Sequence, residues 1–303
     1  MTRFLFIFFM SFTIPLFCQE PNSKEAALQQ DKEFITSFFR KHTGITMDWE
    51  HPQTFNEKIQ WLKLYNRHPI QTICANKYKV RDFVASRVGP EILIPLLAVY
   101  KNANEIDFDK LPSKFVLKAN HGSGMNIICK DKEKLNQQNA RNMLNKWLKD
   151  DYSRYGCEWV YKNIPRRIVC EQFIGEDNSD LPDYKFYCFS GKPEFCEVDL
   201  GRYSNHTQAF YSLSWEKLPF RRGSPSYQKP VPKPIALEQM IEIAKKLSTG
   251  FKFVRIDLYN IQGKIYFGEM TFYPADGVGK FVPQEYELIF GNALNLRDPA
   301  CPY

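Results

Sequence analysis

The residues best suited to chemistry begin at "KFVLKANHGSG", Lys114 to Gly124, where a short apolar strand ends on Lys118 and opens into a loop punctuated by Gly122 and Gly124. A lysine beside glycines suits a phosphate, but a P-loop places its lysine after the glycines, at the start of a helix. Here Lys118 precedes them and "MNIICK" reads as a second strand, which excludes a P-loop. Two late segments carry acidic groups. Side chains alternate along a strand, so in "FVRIDLY" Val254, Ile256 and Leu258 face a core while Arg255 and Asp257 share the other face. In "KIYFGEMTF", Glu269 and Thr271 share a face with Ile265 and Phe267. Magnesium takes hard oxygen ligands, typically one or two carboxylates plus phosphate oxygens, and carboxylates on adjoining strands beneath a basic loop fit that need. The plainer reading is an Arg255–Glu269 ion pair on a wet face. In "DYKFYCF", Asp183 and Lys185 share one face, so Lys185 is either a second source of charge for phosphate or an ordinary surface lysine.

Whether the two carboxylates meet depends on the turn between their strands. A two-residue turn at Gln262-Gly263 would pair Ile261 with Lys264, set Asp257 opposite Gly268 and point Glu269 away. A three-residue loop, Ile261 to Gly263, pairs Asn260 with Lys264 and sets Arg255 opposite Glu269. Asp257 then lies opposite Phe267, with both carboxylates on one face about 7–8 Å apart along the diagonal. The sequence favours this second register with Gly263 at positive φ, because three-residue hairpins commonly end in a left-handed residue.

These strands need a scaffold, and the chain supplies one. Phe34, Ile35, Phe38 and Phe39 recur at helical spacing. "TFNEKIQWLKLYN" opens with a capping box, Thr54 and Glu57. "KYKVRDFVASRVG" puts Val80, Phe83, Val84 and Val88 on one face with Gly89 as a stop. Residues 24–90 are therefore predicted to be a helical region whose charged faces are solvated. From Ile92 onward, runs rich in β-branched and aromatic residues predict strands, interrupted by helical patterns near 136–151 and 235–248. Short connections such as "SGK" and "IQG" predict largely antiparallel sheets, and the fold class is α+β. The Pro-rich segment Arg221 to Pro234 is either a substrate loop or a linker.

Of 303 residues, 44% are apolar, enough for a sizeable core in one large or two ordinary domains. The net charge of +7 suits anionic ligands such as nucleotides or acidic glycans. No basic stripe or nucleic-acid motif accompanies it, so no nucleic-acid partner is expected. The eight cysteines include no C-x-x-C and no histidine pair stands at metal-ligand spacing, which predicts structural thiols rather than zinc. Residues 1–18 hold an apolar run from Phe4 to Phe17. It is short for a span, which needs about 20 residues, and suits a signal peptide or a membrane anchor. That leader predicts the secretory pathway or a membrane association, with the body on the cytosolic face if it is an anchor.

In order, the lysine strand with its glycine loop, "CEQFIGE", "DYKFYCF" and "VRIDLYNIQGKIYFGEMTFYPADGVGKF" resemble the ATP-grasp superfamily. Within it, "TFNEKIQWLKLY", "LPSKFVLKANHGSGMNIICKD" and "YFGEMTFYPADGVG" resemble the TupA-like group associated with cell-surface polysaccharide and teichuronopeptide synthesis. The resemblance implies two α+β subdomains clasping ATP behind a helical N-terminal region: a lid over residues 91–174 and a C-terminal subdomain over 175–303. It implies Lys118 on phosphate, with His121, Gly122, Ser123 and Gly124 forming the loop over it. Glu171, Gln172, Phe173 and Ile174 would flank adenine, with Gln172 to Ile174 as the hinge; Glu176 or Asp177 would reach the ribose. Asp257, Glu269 and Thr271 would bind Mg²⁺, Arg255 and Lys185 would act near the transferred phosphate, and Lys77 would be a further phosphate contact. Thr271 stands where many members have asparagine, and Asn76-Lys77 where many have Asp-Lys. The implied activity is that of an ATP-dependent carboxylate–amine ligase working through an acylphosphate on a glycan, uronic-acid or amino-acid acceptor. The alternatives are a kinase or other transferase acting on polysaccharide, and a non-catalytic nucleotide or glycan binder.

Overall fold

The computed structural model describes residues 23–175, 181–201 and 205–303. The apolar leader, Glu176 and Asp177 lie outside the described residues. The chain opens with four helices, α1 (Ser23–Thr43), α2 (Phe55–Tyr65), α3 (Pro69–Ala75) and α4 (Val80–Val88). The capping box forms at α2: Thr54 Oγ1 accepts the Glu57 N–H at 3.2 Å, and Glu57 Oε2 accepts the Thr54 N–H at 2.9 Å. Gly89 ends α4 with a φ of 94°, a conformation that favours glycine. Among the described residues no helix is long and apolar enough to cross a membrane.

Four strands, β1 (Leu96–Tyr100), β2 (Phe115–Ala119), β3 (Asn126–Cys129) and β4 (Ile168–Gln172), make an antiparallel sheet in the order β1-β4-β2-β3. Helix α5 (Gln137–Lys149) covers it over a core that includes Phe115, Leu117, Leu144 and Cys170, and the short α6 (Ser153–Gly156) follows. A second antiparallel sheet joins β5 (Asp183–Phe189), β6 (Lys192–Leu200), β7 (Thr207–Ser212), β9 (Phe253–Ile261) and β10 (Lys264–Thr271) in the order β10-β9-β5-β6-β7. Separately, β8 (Arg221–Arg222) pairs with β11 (Phe281–Val282). Helix α7 (Leu237–Ser248) backs the second sheet, and Val254, Ile256, Leu258 and Phe186 are fully buried. On the other face, Phe55 of α2 and Phe290 of α8 (Glu285–Ala293) pack on Phe189. The rest of that face is polar: Lys185 pairs in register with Asp257 and Glu197, and Asp183 with Asp199.

The β9–β10 hairpin departs from the expected register. Ile261 pairs with Lys264 across a two-residue turn in which Gln262 (φ 50°) and Gly263 (φ 89°) are both left-handed, the geometry that matches strand twist. A β-bulge then interrupts β10: Phe267 opposes Leu258, Glu269 opposes Asp257, and Gly268 is the extra residue. The inserted residue reverses the alternation. Glu269 and Thr271 therefore do not share a face with Ile265 and Phe267, which are buried with Met270 in the core. They share one with Asp257 and Arg255, their direct partners. Gly268 suits the bulge because a Cβ there would lie 3.0 Å from the Asp257 carbonyl oxygen.

The described cysteines are all free, and all but Cys157 are buried. Burial pushes the Cys74, Cys170 and Cys188 thiols up to about 12, so little thiolate exists at pH 8. These thiols are expected to resist an aromatic disulfide reagent at pH 8 in the native protein and to react at once in denaturant. A colorimetric thiol titration checks this.

Candidate functional site

A cavity of about 380 Å³ lies between the two sheets, within the range of small-molecule sites. The first sheet contributes Lys118, Ser123 and Gly124 to its wall, and the segment Glu171 to Ile174 closes one side. Asp257 and Glu269 of the second sheet, and Lys77 after α3, complete the polar part. Most of the residues singled out from sequence thus converge here. His121 and Gly122 do not. His121 is buried, and its Nε2–H donates to the Trp147 carbonyl at 3.0 Å; burial lowers its pKa, so it acts as a neutral strut under α5. A Cβ at Gly122 would strike the Tyr152 ring at 2.8 Å, so this glycine permits packing. The expected four-residue loop over the ligand reduces to Ser123 and Gly124, the latter at φ 73°.

Lys118 and Lys77 in this wall are held by carboxylates. Lys118 Nζ lies 2.7 Å from Glu171 Oε2, whose other oxygen is 3.2 Å from Arg81. Lys77 Nζ lies 2.8 Å from Glu269 Oε2. Arg255 donates from Nε and Nη2 to the two Asp257 oxygens, each at 2.7 Å, and from Nη2 to Thr271 Oγ1 at 3.1 Å. The ion pair between Arg255 and Glu269 exists at 3.8 Å, but Arg255 is buried, so the face is not a wet one. Lys185 is buried too and touches three carboxylates: Asp199 at 2.6 Å, Asp183 at 3.3 Å and Asp257 at 3.8 Å. It is no surface lysine. Burial works against the Lys185 ammonium, but Asp183 and Asp257 outweigh it and raise its pKa. Burial likewise opposes Asp199, and Lys185 outweighs it, holding that carboxyl well below the usual range. At Asp257 burial wins, pushing the carboxyl up to about 7 against the pull of Arg255 and Lys185.

A second chamber of about 280 Å³ adjoins the first, and the two share Ser123 and Glu269. Lys185, Arg255 and Thr271 face this chamber. So do residues the sequence did not single out: Tyr187, Glu197, Asp199, Arg222, Glu158 and Asp276. Arg222 lies in the Pro-rich segment, whose Gly223 and Ser224 also line the wall, so this part of the segment is no mere linker. Glu158 is buried, and burial followed by a hydrogen bond to Asp276 raises its pKa well above the carboxylate range.

Helix α2 holds the floor of this chamber. Ala275, Asp276 and Gly277 are successively left-handed, an arrangement that persists only when its surroundings fix it. The Asn56 Nδ2 donates to the Gly279 carbonyl, Gln60 to those of Asp276 and Gly277, and Lys63 to those of Asp276 and Gly156. Asn56, Gln60 and Lys63 follow one another by one helical turn and are all buried. The expectation that the polar face of α2 is solvated is therefore corrected: it is an anchor for the loop. The spacing of the three was the available signal.

Among the described residues, no group of three or more histidine, cysteine, aspartate or glutamate side chains could hold a metal ion. The two carboxylates at the Asp257–Glu269 strand pair are hard oxygen donors facing the first cavity, which fits Mg²⁺ completed by phosphate oxygens. If Lys118 meets phosphate as the resemblance implies, Lys118→Ala is expected to weaken Mg-ATP binding about tenfold, the loss of one charge-assisted hydrogen bond. The fold should persist because Arg81 still compensates Glu171. Calorimetry with Mg²⁺ present measures the first effect and thermal denaturation the second.

Residues 57–295 match the model of the TupA-like ATPgrasp family. No curated protein matches the chain. Among solved structures, D-alanine–D-alanine ligase from Helicobacter pylori is 18% identical with a TM-score of 0.44, over 80% of this chain and 69% of that one. The Bacillus anthracis enzyme complexed with ATP is 16% identical with a TM-score of 0.38, over 66% of this chain. The chain spans about half of that ligase, 53% of its length. The ATP-grasp ligase PsnB, complexed with minimal precursor, Mg and ADP, is 9% identical with a TM-score of 0.36, over 72% of this chain and 57% of that one.

Proposed function

The chain belongs to the TupA-like ATP-grasp family, and from that premise we propose that it is an ATP-dependent carboxylate–amine ligase of cell-surface polysaccharide or peptide-polymer synthesis. The observation that carries the reading is the junction of two cavities at Ser123 and Glu269. A group passed from a ligand in one to a ligand in the other crosses there. In this proposal the first cavity takes ATP: Lys118 and Lys77 turn to its phosphates, and the backbone from Gln172 to Ile174 meets the adenine edge. Asp257 and Glu269 hold Mg²⁺, while the Thr271 hydroxyl orients Arg255. When bound, Mg-ATP supplies a transferable phosphoryl group whose charge is partly neutralised. Arg255 and Lys185, on the acceptor side, place fixed positive charge where negative charge develops on transfer. The apolar leader would bring the protein to the secretory pathway or to a membrane.

The test is incubation with Mg-ATP, candidate uronic acids and amino acids, followed by mass spectrometry. Release of ADP together with a new amide is the expected result. A phosphorylated glycan would replace the ligase by a kinase, and nucleotide binding without turnover would replace it by a binder.

A further inference from the structure

Arg222 is only 5% exposed and lines the second chamber. It sits on the short ladder that pairs it with Phe281, and its guanidinium lies over the Phe55 and Phe281 rings at 5.5 and 5.1 Å. One terminal nitrogen donates to the Tyr187 hydroxyl at 3.2 Å; the other donates to the Pro274 carbonyl at 2.9 Å and to Asn56 Oδ1 at 3.4 Å. A guanidinium has five N–H donors, and Nε has no partner here. The other two cations of the chamber, Lys185 and Arg255, each touch carboxylates. Arg222 makes no ion pair among the described residues. Two acids are linked to it by hydrogen bonds through intermediaries: Glu197 accepts the Tyr187 hydroxyl at 2.6 Å, and Glu287, whose carboxyl also feels the Arg222 charge, accepts Asn56 Nδ2 at 2.6 Å.

A guanidinium stays charged at any pH the protein meets. Buried without a directly paired counter-ion, with an unpartnered donor and beside a polar chamber, it lacks an anion of matching planar geometry. The lack of a side chain at Gly279 lets the backbone pack against the guanidinium: a Cβ there would lie 3.1 Å from both Cζ and Nη2 of Arg222. We infer that Arg222 binds an oxyanion, carboxylate or phosphate, of the acceptor molecule. The inference rests on the second chamber being the acceptor site, and it makes the acceptor an acidic compound.

The test titrates the full chain, saturated with Mg²⁺ and a non-hydrolysable ATP analogue, with glucuronate, glucose 6-phosphate and glucose in a calorimeter. At least one charged sugar is expected to bind ten times more tightly than glucose, and the arm that does so identifies carboxylate or phosphate. Arg222→Gln should abolish that advantage, and Arg222→Lys, which keeps the charge without the fork, should restore part of it. Nucleotide affinity and the melting temperature of each variant serve as folding controls. If Arg222→Gln fails them, Gly279→Ala, which crowds the guanidinium but keeps its charge, is expected to remove the same advantage. Charged sugars binding no better than glucose, or equally well to a folded Arg222→Gln, would overturn the inference. The titration requires no turnover, so an Arg222-dependent anion site without amide formation would sink the ligase reading and leave this one standing.

Discussion

Glu269→Gln is expected to lower ATP turnover about a hundredfold or more while leaving the fold intact. The glutamate sits at the junction of the two cavities, directly opposite Asp257, with its side chain 25% exposed. An amide is a poor partner for a divalent cation, and the charge a metal neutralises in phosphoryl transfer is worth several kcal/mol; each 1.36 kcal/mol is a factor of ten in rate. The change also removes the charge that holds Lys77 at 2.8 Å, so binding of ATP without Mg²⁺ should improve even as Mg-ATP turnover collapses. Those opposite signs distinguish a metal ligand from a residue that merely braces the cleft. Calorimetry with and without Mg²⁺, beside an ADP-release assay, reads both; turnover within threefold of the unaltered protein would remove Glu269 from the metal site.

Lys185→Met should destabilise the protein by about 3–5 kcal/mol, the usual effect of removing one partner of a buried ion pair. The side chain of Lys185 is 4% exposed and lies between carboxylates of β5, β6 and β9. Asp257 would keep Arg255, but Asp199 would lose its nearest cation, Lys185 at 2.6 Å. Urea denaturation at pH 7 measures the loss. Its pH dependence follows from Asp199, whose folded pKa is held below the ordinary value of 3.8. A depressed carboxyl stabilises the fold above its unfolded pKa, and that contribution fades as pH falls toward the folded value. In the unaltered protein the contribution of Asp199 should therefore fade below about pH 4. The double variant Lys185→Met, Asp199→Asn should recover part of the loss, because the uncompensated charge is gone.

Sequence reading succeeded where the determinant is local. The capping box at Thr54 and Glu57, the stop at Gly89 and the alternation of Arg255 and Asp257 on β9 all depend on a few adjacent residues, and all appear in the structure. The β10 register did not yield to the same logic. Alternation assumes an unbroken ladder, and Gly268 breaks it by an approach to Asp257 on another strand that no window of β10 contains. The expected turn was wrong and the bulge restored what it would have destroyed, so Asp257 and Glu269 meet by a route the pattern could not show. His121 was misread for a related reason: a polar residue in a glycine loop looks like a ligand contact until the position of Trp147 is known. The burial of Asn56, Gln60 and Lys63, and of Arg222, likewise depends on partners more than 90 residues away in the chain or across the second chamber.

The contacts of Lys118 with Glu171 and of Lys77 with Glu269 have a thermodynamic consequence. Without ligand, the lysines proposed to meet phosphate are neutralised from within, one of them by a carboxylate proposed to meet the metal. Loading the cleft then becomes an exchange of ionic partners rather than a gathering of opposite charges onto bare ones. Nucleotide alone would draw Lys77 away and strand Glu269; a cation alone would strand Lys77. Arriving together, the two give both Lys77 and Glu269 a new partner, so each should raise the affinity of the other by one and the same factor. Because these paired lysines present little net positive charge before loading, added salt should weaken binding less than it would weaken binding to an uncovered basic pocket.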